Sequence, residues 1–383
     1  MTVTSPKGFR ASGVAAGLKK SGNDDVAVVV NDGPAAAVAG VFTANRVKAA
    51  PVLWSEQVVR GGVVRAVVLN SGGANACTGT LGFQDTHATA EHVAAALAIG
   101  AGEVAVCSTG LIGERLPMDK LLPGVTAALG ALAADGGDAA ARAIMTTDTK
   151  PKSTVVAGDG WTVGGMAKGA GMLAPGLATM LCVLTTDAVA DARTLDVALR
   201  AATRLTFDRV DSDGAMSTND TVLLLASGAS GVAPTTHELT EAVTAACQDL
   251  CEQLVDDAEG ATKKVAIEVT GAASDDDAVE VGRAVARNNL VKTALFGNDP
   301  NWGRILAAVG TTAAAFEPDE LDVAVNGVWV CRSGAAAEDR SKVDLSGRDV
   351  TVKVALHAGY ATATIWTNDL SHGYVHENSA YST

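Results

Sequence analysis

Aromatic residues are scarce in this chain, since Phe, Trp and Tyr together make up only 4% of its 383 residues. With so few large rings, the hydrophobic core must be built from Val, Leu, Ile and Ala. The hydrophobic fraction of 48% is enough for a large core and for more than one domain. The 41 glycines indicate many tight backbone turns.

Positive charge is also in short supply, and the formal net charge is -14. An acidic surface disfavours nucleic acid and anionic membranes as partners. No stretch reaches the ~18 to 20 uninterrupted apolar residues of a membrane helix, so we predict no membrane partner. The polar start of the chain lacks the apolar region of a secretory signal, so we expect a cytoplasmic protein.

Several catalytic and metal-binding signatures are missing from the sequence. It contains no Gly-x-Ser-x-Gly elbow, no HExxH, no P-loop and no Gly-x-Gly-x-x-Gly that opens a helix. The six cysteines are scattered without a CxxC pair, which indicates buried, reduced thiols. His372 and His376 are four residues apart but have no third ligand near them. We therefore predict neither a metal nor a bound cofactor.

Short β-branched segments alternate irregularly with helical patterns along the chain. We predict strands at 25–30, 36–42, 63–69, 103–107, 181–185, 221–226, 264–270, 322–325, 328–331 and 350–355. We predict helices at 87–97, 138–144, 188–205, 239–257 and 278–289, and one or two helices within 118–132. This mixture indicates an α/β fold of stacked sheet and helix layers with mixed strand pairing. A smaller C-terminal α/β domain is expected approximately within 265–383.

The most informative stretch is 168–181, Lys-Gly-Ala-Gly-Met-Leu-Ala-Pro-Gly-Leu-Ala-Thr-Met-Leu. Its glycines and proline lead to Ala178-Thr179, directly before an apolar strand. A threonine hydroxyl is a poor nucleophile without an adjacent base, and cleavage before Thr179 would supply the α-amine of Thr179 as that base. The pattern favours a self-cleaving enzyme that works through an acyl-threonine. Lys168 is either a partner for a substrate carboxylate or an ordinary surface lysine.

Three polar segments are candidates for the rest of a site, and each has an ordinary structural interpretation. The Ser-Thr-Gly turn at 108–110 could bind an oxyanion, although the pattern alone favours a turn stabilised by hydroxyl groups. Segment 145–152 is either a substrate loop or a solvated loop. Segment 256–264 places carboxylates at a helix C-terminus, where the helix dipole opposes them, so either a cation binds there or the helix end is solvated. The polar segment 377–383 is typical of a frayed tail.

Eleven segments form an ordered set that covers essentially the whole chain. They are Gly8-Phe-Arg-Ala-Ser-Gly-Val, Phe42-Thr-Ala-Asn-Arg, Asn70-Ser-Gly-Gly-Ala-Asn-Ala-Cys-Thr-Gly, Ser108-Thr-Gly-Leu-Ile-Gly, Met145-Thr-Thr-Asp-Thr, Lys168-Gly-Ala-Gly-Met-Leu-Ala-Pro, Ala178-Thr-Met-Leu, Ser217-Thr-Asn-Asp-Thr, Asp257-Ala-Glu-Gly-Ala-Thr-Lys, Gly297-Asn-Asp-Pro-Asn-Trp-Gly-Arg and Asn378-Ser-Ala-Tyr-Ser-Thr. Each segment is weak alone. In this order and at these spacings, they resemble the glutamate N-acetyltransferase family of arginine biosynthesis, also called ornithine acetyltransferases.

The resemblance implies that the precursor cleaves itself between Ala178 and Thr179, giving an α chain of residues 1–178 and a β chain of residues 179–383. Thr179 would then take an acetyl group from N2-acetyl-L-ornithine and pass it to L-glutamate. The freed amine of Thr179 would be the general base. Thr109 and Gly110 match the oxyanion-hole positions of the family.

The resemblance also implies which residues contact substrate. They are Thr146 or Thr147, Lys168, Thr179, Glu259, Asn378 and Thr383, so the C-terminus becomes part of the site and the frayed-tail interpretation is set aside. The family's fold is similar to that of self-processing aminopeptidases, and its α and β chains commonly assemble further, for example into a heterotetramer. The sequence leaves open the choice between Thr146 and Thr147. It also leaves open the use of acetyl-CoA as a second acetyl donor and a role in an antibiotic pathway.

Two other functions compete with this one. A related self-cleaving amidase or aminopeptidase would use the same Thr179 with water as the acceptor. A non-catalytic member of the family would keep the fold and an uncut chain.

Overall fold

The computed structural model describes residues 2–174 and 180–380, which form two compact units. The first unit comprises the described parts of Met1–Asp208 and Ala215–Asp257. The second comprises Arg209–Gly214 and the described part of Ala258–Tyr381. Each unit combines helices with a sheet that contains both parallel and antiparallel pairs, which confirms the predicted α/β class.

The described residues contain 15 strands and ten α-helices. Strands β1 to β15 are, in order, Phe9–Val14, Val26–Asn31, Ala37–Phe42, Ala66–Ser71, Val104–Thr109, Lys152–Ala157, Thr162–Lys168, Leu181–Thr186, Thr221–Ala226, Lys264–Ala272, Asp322–Val325, Val328–Arg332, Ala335–Ala336, Asp349–Ala355 and Ala361–Asn368. Helices α1 to α10 are Ala50–Arg60, Gly79–Leu97, Met118–Gly130, Gly137–Ala143, Ala192–Leu205, Thr236–Asp256, Asp275–Ala286, Asn289–Phe296, Trp302–Val309 and His372–Ala380.

The first unit contains two sheets. One has four strands in the order β1-β2-β4-β5, and the other has five strands in the order β3-β9-β8-β7-β6. Within the second of these sheets, β8 and β9 run parallel and the remaining pairs are antiparallel. Strands β2, β8 and β9 are buried at every position. Such uniformly buried strands are expected where both faces of a sheet are covered.

The two sheets of the first unit share one hydrophobic core. Val29 and Leu69 of the four-stranded sheet belong to the same buried cluster as Met166, Val183 and Leu225 of the five-stranded sheet. Helices α2 and α3 cover the other face of the four-stranded sheet. Helices α5 and α6 pack against each other and against β3, β6 and β7. The first unit is therefore layered in the order helix, sheet, sheet, helix.

Capping side chains set the starts of α5 and α6. Asp191 accepts a hydrogen bond from the Thr194 amide, so α5 begins four residues after the predicted start at 188. Thr235 and Glu238 form a reciprocal capping box, so α6 begins three residues before the apolar run that predicted it. An N-cap of this kind is worth ~1 kcal/mol, which is enough to decide where a helix begins.

The second unit is built around one six-stranded sheet, with the order β13-β12-β11-β14-β10-β15. Strands β10 and β14 are parallel, and the other pairs are antiparallel. Helix α7 packs on β10 and β15, and the core between them contains Ile267, Val281, Val285 and Ile365. A side chain at Gly282 would lie 2.4 Å from Ile365, so this glycine allows the close approach of helix and sheet.

Several elements were absent from the sequence-based prediction, most clearly α1, the hairpin of β6 and β7, and α10. Strand β7 contains Gly164 and Gly165, which weaken a strand pattern. A Cβ on Gly164 would lie 2.5 Å from the Thr2 carbonyl oxygen, and one on Gly165 would lie 2.7 Å from Leu184. Helix α10 has no buried residue and therefore no apolar periodicity.

Five of the six cysteines are buried, as predicted, whereas Cys77 is exposed and departs from the prediction. Among the described residues, no helix combines the length and the apolar character needed to cross a bilayer.

Replacing Ile267 with Ala removes a fully buried side chain from the core of the second unit. We expect the free energy of unfolding to fall by about 2 to 5 kcal/mol, measured by urea denaturation. Leu290→Ala on α8 is the control, because Leu290 is 60% exposed and its truncation should cost less than ~0.5 kcal/mol. Similar losses in both variants would contradict this description of the core.

Candidate functional site

The turn that follows β5 has the geometry of an oxyanion-binding loop. The Thr109 carbonyl accepts hydrogen bonds from the amides of Gly72 and Gly73, each at 3.0 Å. Gly110 has a φ of 133°, and a Cβ there would lie 2.5 Å from the Gly73 nitrogen, so only glycine fits. Within the described residues, the Gly110 amide donates no hydrogen bond. This amide is therefore available to a ligand beside the Thr109 hydroxyl.

Lys168 lies at the end of β7 with only 1% of its surface exposed. Its ammonium donates a hydrogen bond to the Thr109 hydroxyl oxygen at 3.3 Å. The alternative interpretation as a surface lysine is therefore wrong. The contact brings together two residues that the sequence assigned to different roles, the oxyanion site and the substrate site.

A buried ion group, formed by Lys152 with Asp148 and Asp257, supports this region. The Lys152 ammonium lies 2.6 Å from one oxygen of each carboxylate. All three side chains are at least 96% buried. Such an arrangement is stable only if its carboxylates are also well hydrogen-bonded.

The remaining donors to the buried ion group come from the chain around it. Asp148 accepts the Thr146 amide at 2.9 Å and the Gly169 amide at 2.7 Å, and Asp257 accepts both the amide and the hydroxyl of Thr149. Through Gly169, the group fixes the residue that directly follows Lys168.

The charges in this region fix the protonation of Asp148. Burial alone would raise the pKa of this carboxyl, but the ammonium groups of Lys168 and Lys152 outweigh burial and lower it to about 2. Asp148 is therefore ionised at neutral pH. The interpretations of 145–152 as a solvated loop and of 256–264 as a solvated helix end are wrong for Asp148, Lys152 and Asp257.

Thr146 and Thr147 lie half-buried next to Asp148. The backbone of Thr146 is anchored by that carboxylate. A substrate contact by either threonine stays a prediction.

In the second unit, Glu259 and Asn378 are in direct contact. Asn378 lies on α10, and its side-chain amide donates to a Glu259 carboxylate oxygen at 2.9 Å and to the Tyr374 carbonyl at 3.0 Å. The start of α10 packs tightly here, because a Cβ on Gly260 would lie 2.1 Å from the Tyr374 nitrogen. Residues 377–380 belong to this helix, so their interpretation as part of a frayed tail is wrong.

Glu259 also lines a cavity of about 280 Å³ in the second unit, together with Asp213, Arg287, Lys292 and Tyr374. Burial raises the pKa of Tyr374 to about 12, with further contributions from the charges of Asp213 and Glu259. Burial likewise lowers the pKa of Lys292 to about 8, against the opposing effect of Asp213 and other acids. Glu259 thus faces a polar cavity large enough for a small ligand.

Three predicted site residues, Ala178, Thr179 and Thr383, lie outside the described residues. One residue beyond the predicted cleavage point, the Met180 amide donates to the Asp220 carboxyl at 3.0 Å. Among residues 2–174 and 180–380, no three His, Cys, Asp or Glu side chains are grouped so as to hold a metal ion.

Asn219 and Asp220 had no predicted role, although the segment that contains them was one of the eleven that carry the resemblance. Both are buried. The signal that could have identified them is the unbroken polar run Ser217-Thr-Asn-Asp-Thr221 directly before the apolar strand β9. Such a run is unusual in a buried position unless its groups are paired.

Comparison with known proteins decides the family. A family model described as the ArgJ family matches residues 10–383. The chain belongs to the ArgJ family. A Streptomyces avermitilis relative named arginine biosynthesis bifunctional protein ArgJ is 70% identical over the full length of both chains. A Streptomyces coelicolor relative of the same name is 67% identical, again over all of both chains.

A crystal structure of ornithine acetyltransferase from Mycobacterium tuberculosis, complexed with ornithine, is 62% identical to this chain. The match covers 47% of this chain and 96% of that chain, with a TM-score of 0.45. The family match and the full-length relatives confirm the predicted family and the predicted enzyme class, an N-acetyltransferase of arginine biosynthesis.

Replacing Lys152 with Met leaves the Asp148 and Asp257 carboxylates buried without their shared cation. We expect a loss of about 3 to 5 kcal/mol in the free energy of unfolding, measured by urea denaturation at pH 7. Lys150→Met, at an exposed position two residues away, is the matched control and should change it by less than ~0.5 kcal/mol.

The pH dependence of the wild-type free energy of unfolding gives a second check on the buried ion group. The folded pKa of Asp148, about 2, lies below the unfolded value of ~3.9. Asp148 therefore stabilises the fold above about pH 4, and that contribution disappears as the pH falls towards about 2. A wild-type stability that stays constant across this window, or a Lys152→Met variant as stable as Lys150→Met, would contradict the buried ion group.

Proposed function

We propose that this ArgJ protein transfers the acetyl group of N2-acetyl-L-ornithine to L-glutamate through an acetyl ester on Thr179. The observation that carries the proposal is the family match, which extends over residues 10–383 and so includes every predicted site residue. The contact between Lys168 and Thr109 supports it, because it joins two of those residues in one buried cluster.

The first step would be cleavage of the precursor. The Thr179 hydroxyl oxygen attacks the Ala178 carbonyl carbon, the bond from that carbon to the Thr179 nitrogen breaks, and the hydroxyl proton passes to the nitrogen. The resulting ester is hydrolysed by water. This releases the Ala178 carboxylate and leaves Thr179 with a free amine and a free hydroxyl. The products are the α chain, 1–178, and the β chain, 179–383.

Acetyl transfer would follow in two half-reactions. The Thr179 amine takes the hydroxyl proton while the hydroxyl oxygen attacks the acetyl carbonyl, and the amine then protonates the departing ornithine nitrogen. The amine of glutamate attacks the acetyl ester in the second half-reaction, and Thr179 is regenerated. An α-amine with an ordinary pKa of roughly 7.7 to 8.0 suits this role near neutral pH.

The Thr109 turn would stabilise the negative oxygen of each tetrahedral intermediate. The Gly110 amide is available as one donor, and the Thr109 hydroxyl can be the other. Because the Lys168 ammonium donates to the Thr109 oxygen, the hydroxyl proton is left to point towards the oxyanion. One such donor typically lowers the barrier by ~3 kcal/mol, and the positive charge on Lys168 adds to the effect.

Glu259 is proposed to hold the side-chain ammonium of ornithine. Asn378 supports this role, because its side-chain amide donates to one oxygen of the Glu259 carboxylate and so orients the group. Lys168 is proposed as the partner of a substrate carboxylate. The use of acetyl-CoA as a second donor is consistent with relatives named bifunctional and stays a prediction. The heterotetramer and the cytoplasmic location also stay predictions.

Replacing Thr179 with Ala should abolish both cleavage and transfer, because the nucleophile of both steps is lost. Denaturing gel electrophoresis should show two fragments for the wild type, one beginning Thr-Met-Leu, and one full-length band for the variant. Acetyl transfer is measured with N2-acetyl-L-ornithine labelled in the acetyl group, with glutamate as acceptor. Thr240→Ala, on the surface of α6, should behave as the wild type.

The same assay separates the competing functions. Labelled acetylglutamate with little free acetate supports the transferase, whereas free acetate as the main product identifies a hydrolase. Wild-type transfer by the Thr179→Ala variant would overturn the mechanism.

Replacing Glu259 with Gln removes the charge but keeps the size and a hydrogen-bonding group. We expect kcat/KM for acetylornithine to fall roughly 10- to 100-fold, since a hydrogen bond to a charged group is worth ~1.5 to 3 kcal/mol. The melting temperature should change little. Glu268→Gln on β10, a half-buried position of the same unit, is the control. An unchanged kcat/KM in Glu259→Gln would refute the assignment.

A further inference from the structure

The polar segment 217–221 is a hydrogen-bonded bridge within the first unit. The side-chain amide of Asn219 donates to the Ala74 carbonyl at 2.6 Å and to the Ser108 carbonyl at 2.8 Å. Ser108 directly precedes the Thr109 turn. The segment therefore holds the chain that leads into the proposed oxyanion site.

The next residue in this segment, Asp220, binds the residue that directly precedes β8. Its Oδ1 accepts the Met180 amide at 3.0 Å, and its backbone carbonyl accepts the Thr43 amide at 3.0 Å. Covalent connectivity makes the Met180 nitrogen part of the peptide that begins at the carbonyl of residue 179. The Asp220 side chain thus binds the peptide bond directly after the proposed nucleophile.

Asp220 is itself an unusual aspartate. Its side chain is fully buried, and its Oδ2 has no hydrogen-bond partner among the described residues. Burial raises the pKa of this carboxyl well above its usual range, and the Met180 amide, the Ser217 hydroxyl and the charge of Lys168 oppose burial without outweighing it. Full burial and the missing partner at Oδ2 among the described residues both favour the neutral form of this carboxyl.

The charge of such a group matters at this position. After cleavage, the α-amine of Thr179 must be free of its proton to act as a base. A carboxylate anion nearby would favour the ammonium form and raise the pKa of the amine, which would reduce the fraction of active base. A neutral carboxyl can hold the backbone without that effect.

We propose that Asp220 is a positioning residue for the reaction at Thr179, acting as an uncharged hydrogen-bond acceptor for the Met180 amide. The proposal rests on the proposed function, since it assumes that Thr179 is the nucleophile. It assigns to Asp220 no proton transfer and no contact with substrate.

Two substitutions of Asp220 separate an uncharged acceptor from an ionised one. Asp220→Asn keeps an oxygen acceptor for the Met180 amide and carries no charge at any pH. Asp220→Ala removes the acceptor and leaves a buried N–H without a partner. Asp187→Asn is the matched control, because Asp187 follows the other end of β8, is also buried, and accepts the amides of Lys7 and Thr162.

The measurements are the extent of chain cleavage, kcat and KM for acetylornithine, and the pH profile of kcat/KM, each with the melting temperature. For Asp220→Asn we expect cleavage and a kcat within about threefold of the wild type, with an unmoved pH profile. For Asp220→Ala we expect slower cleavage and a kcat lowered about tenfold or more, with KM nearly unchanged. The control should lose stability without a change in the pH profile.

Each outcome decides the proposal. If Asp220→Asn loses as much activity as Asp220→Ala, or shifts the pH profile, the carboxyl works as a charged or proton-transferring group and the proposal is wrong. A wild-type kcat in Asp220→Ala also overturns it. If Asp220→Ala does not fold, the pH profile of Asp220→Asn alone makes the decision. A wild-type protein that neither cleaves nor transfers is a different result, because it refutes the proposed function and the positioning role with it.

Discussion

The first unit depends most on the buried ion pairs between the Lys152 ammonium and the carboxylates of Asp148 and Asp257. Taking three charges out of water costs several kcal/mol each, so the arrangement persists only because every oxygen has a donor. Those donors include the amides of Thr146 and Gly169. One electrostatic group therefore joins a loop, the start of β6, the end of β7 and the end of α6.

Buried polar contacts of this kind explain how side chains in the proposed site can be held in fixed positions in a chain rich in small residues. Lys168 has four rotatable bonds, yet its backbone neighbour is fixed by Asp148 and its ammonium is fixed by Thr109. Asn219 holds the chain before the Thr109 turn in the same way. The candidate donors thus owe their positions to long-range polar contacts and not to large hydrophobic anchors, which the composition scarcely provides.

The local sequence pattern was sufficient to predict several strands and a nucleophile, but not the buried long-range contacts. The apolar runs of β2, β8 and β9 identified their strands, and the Ala178-Thr179 junction suggested a nucleophile. The burial of Lys152 could not be predicted, because a lysine is ordinarily exposed and one of its partners lies 105 residues away. Asp220 was missed for a related reason, since its effect depends on one amide 40 residues earlier in the chain.

The strand order of the five-stranded sheet has a consequence for a chain that is cut before residue 179. Strands β3, β6 and β7 would then belong to the α chain, and β8 and β9 would belong to the β chain. In the order β3-β9-β8-β7-β6, the two strands of the β chain lie between strands of the α chain. Both seams consist of six paired residues. The uncut precursor would refold as a single molecule. After cutting and denaturation, the two separate chains would have to associate before the sheet could form. Cutting would therefore change refolding from first to second order in protein concentration and make denaturation effectively irreversible in dilute solution.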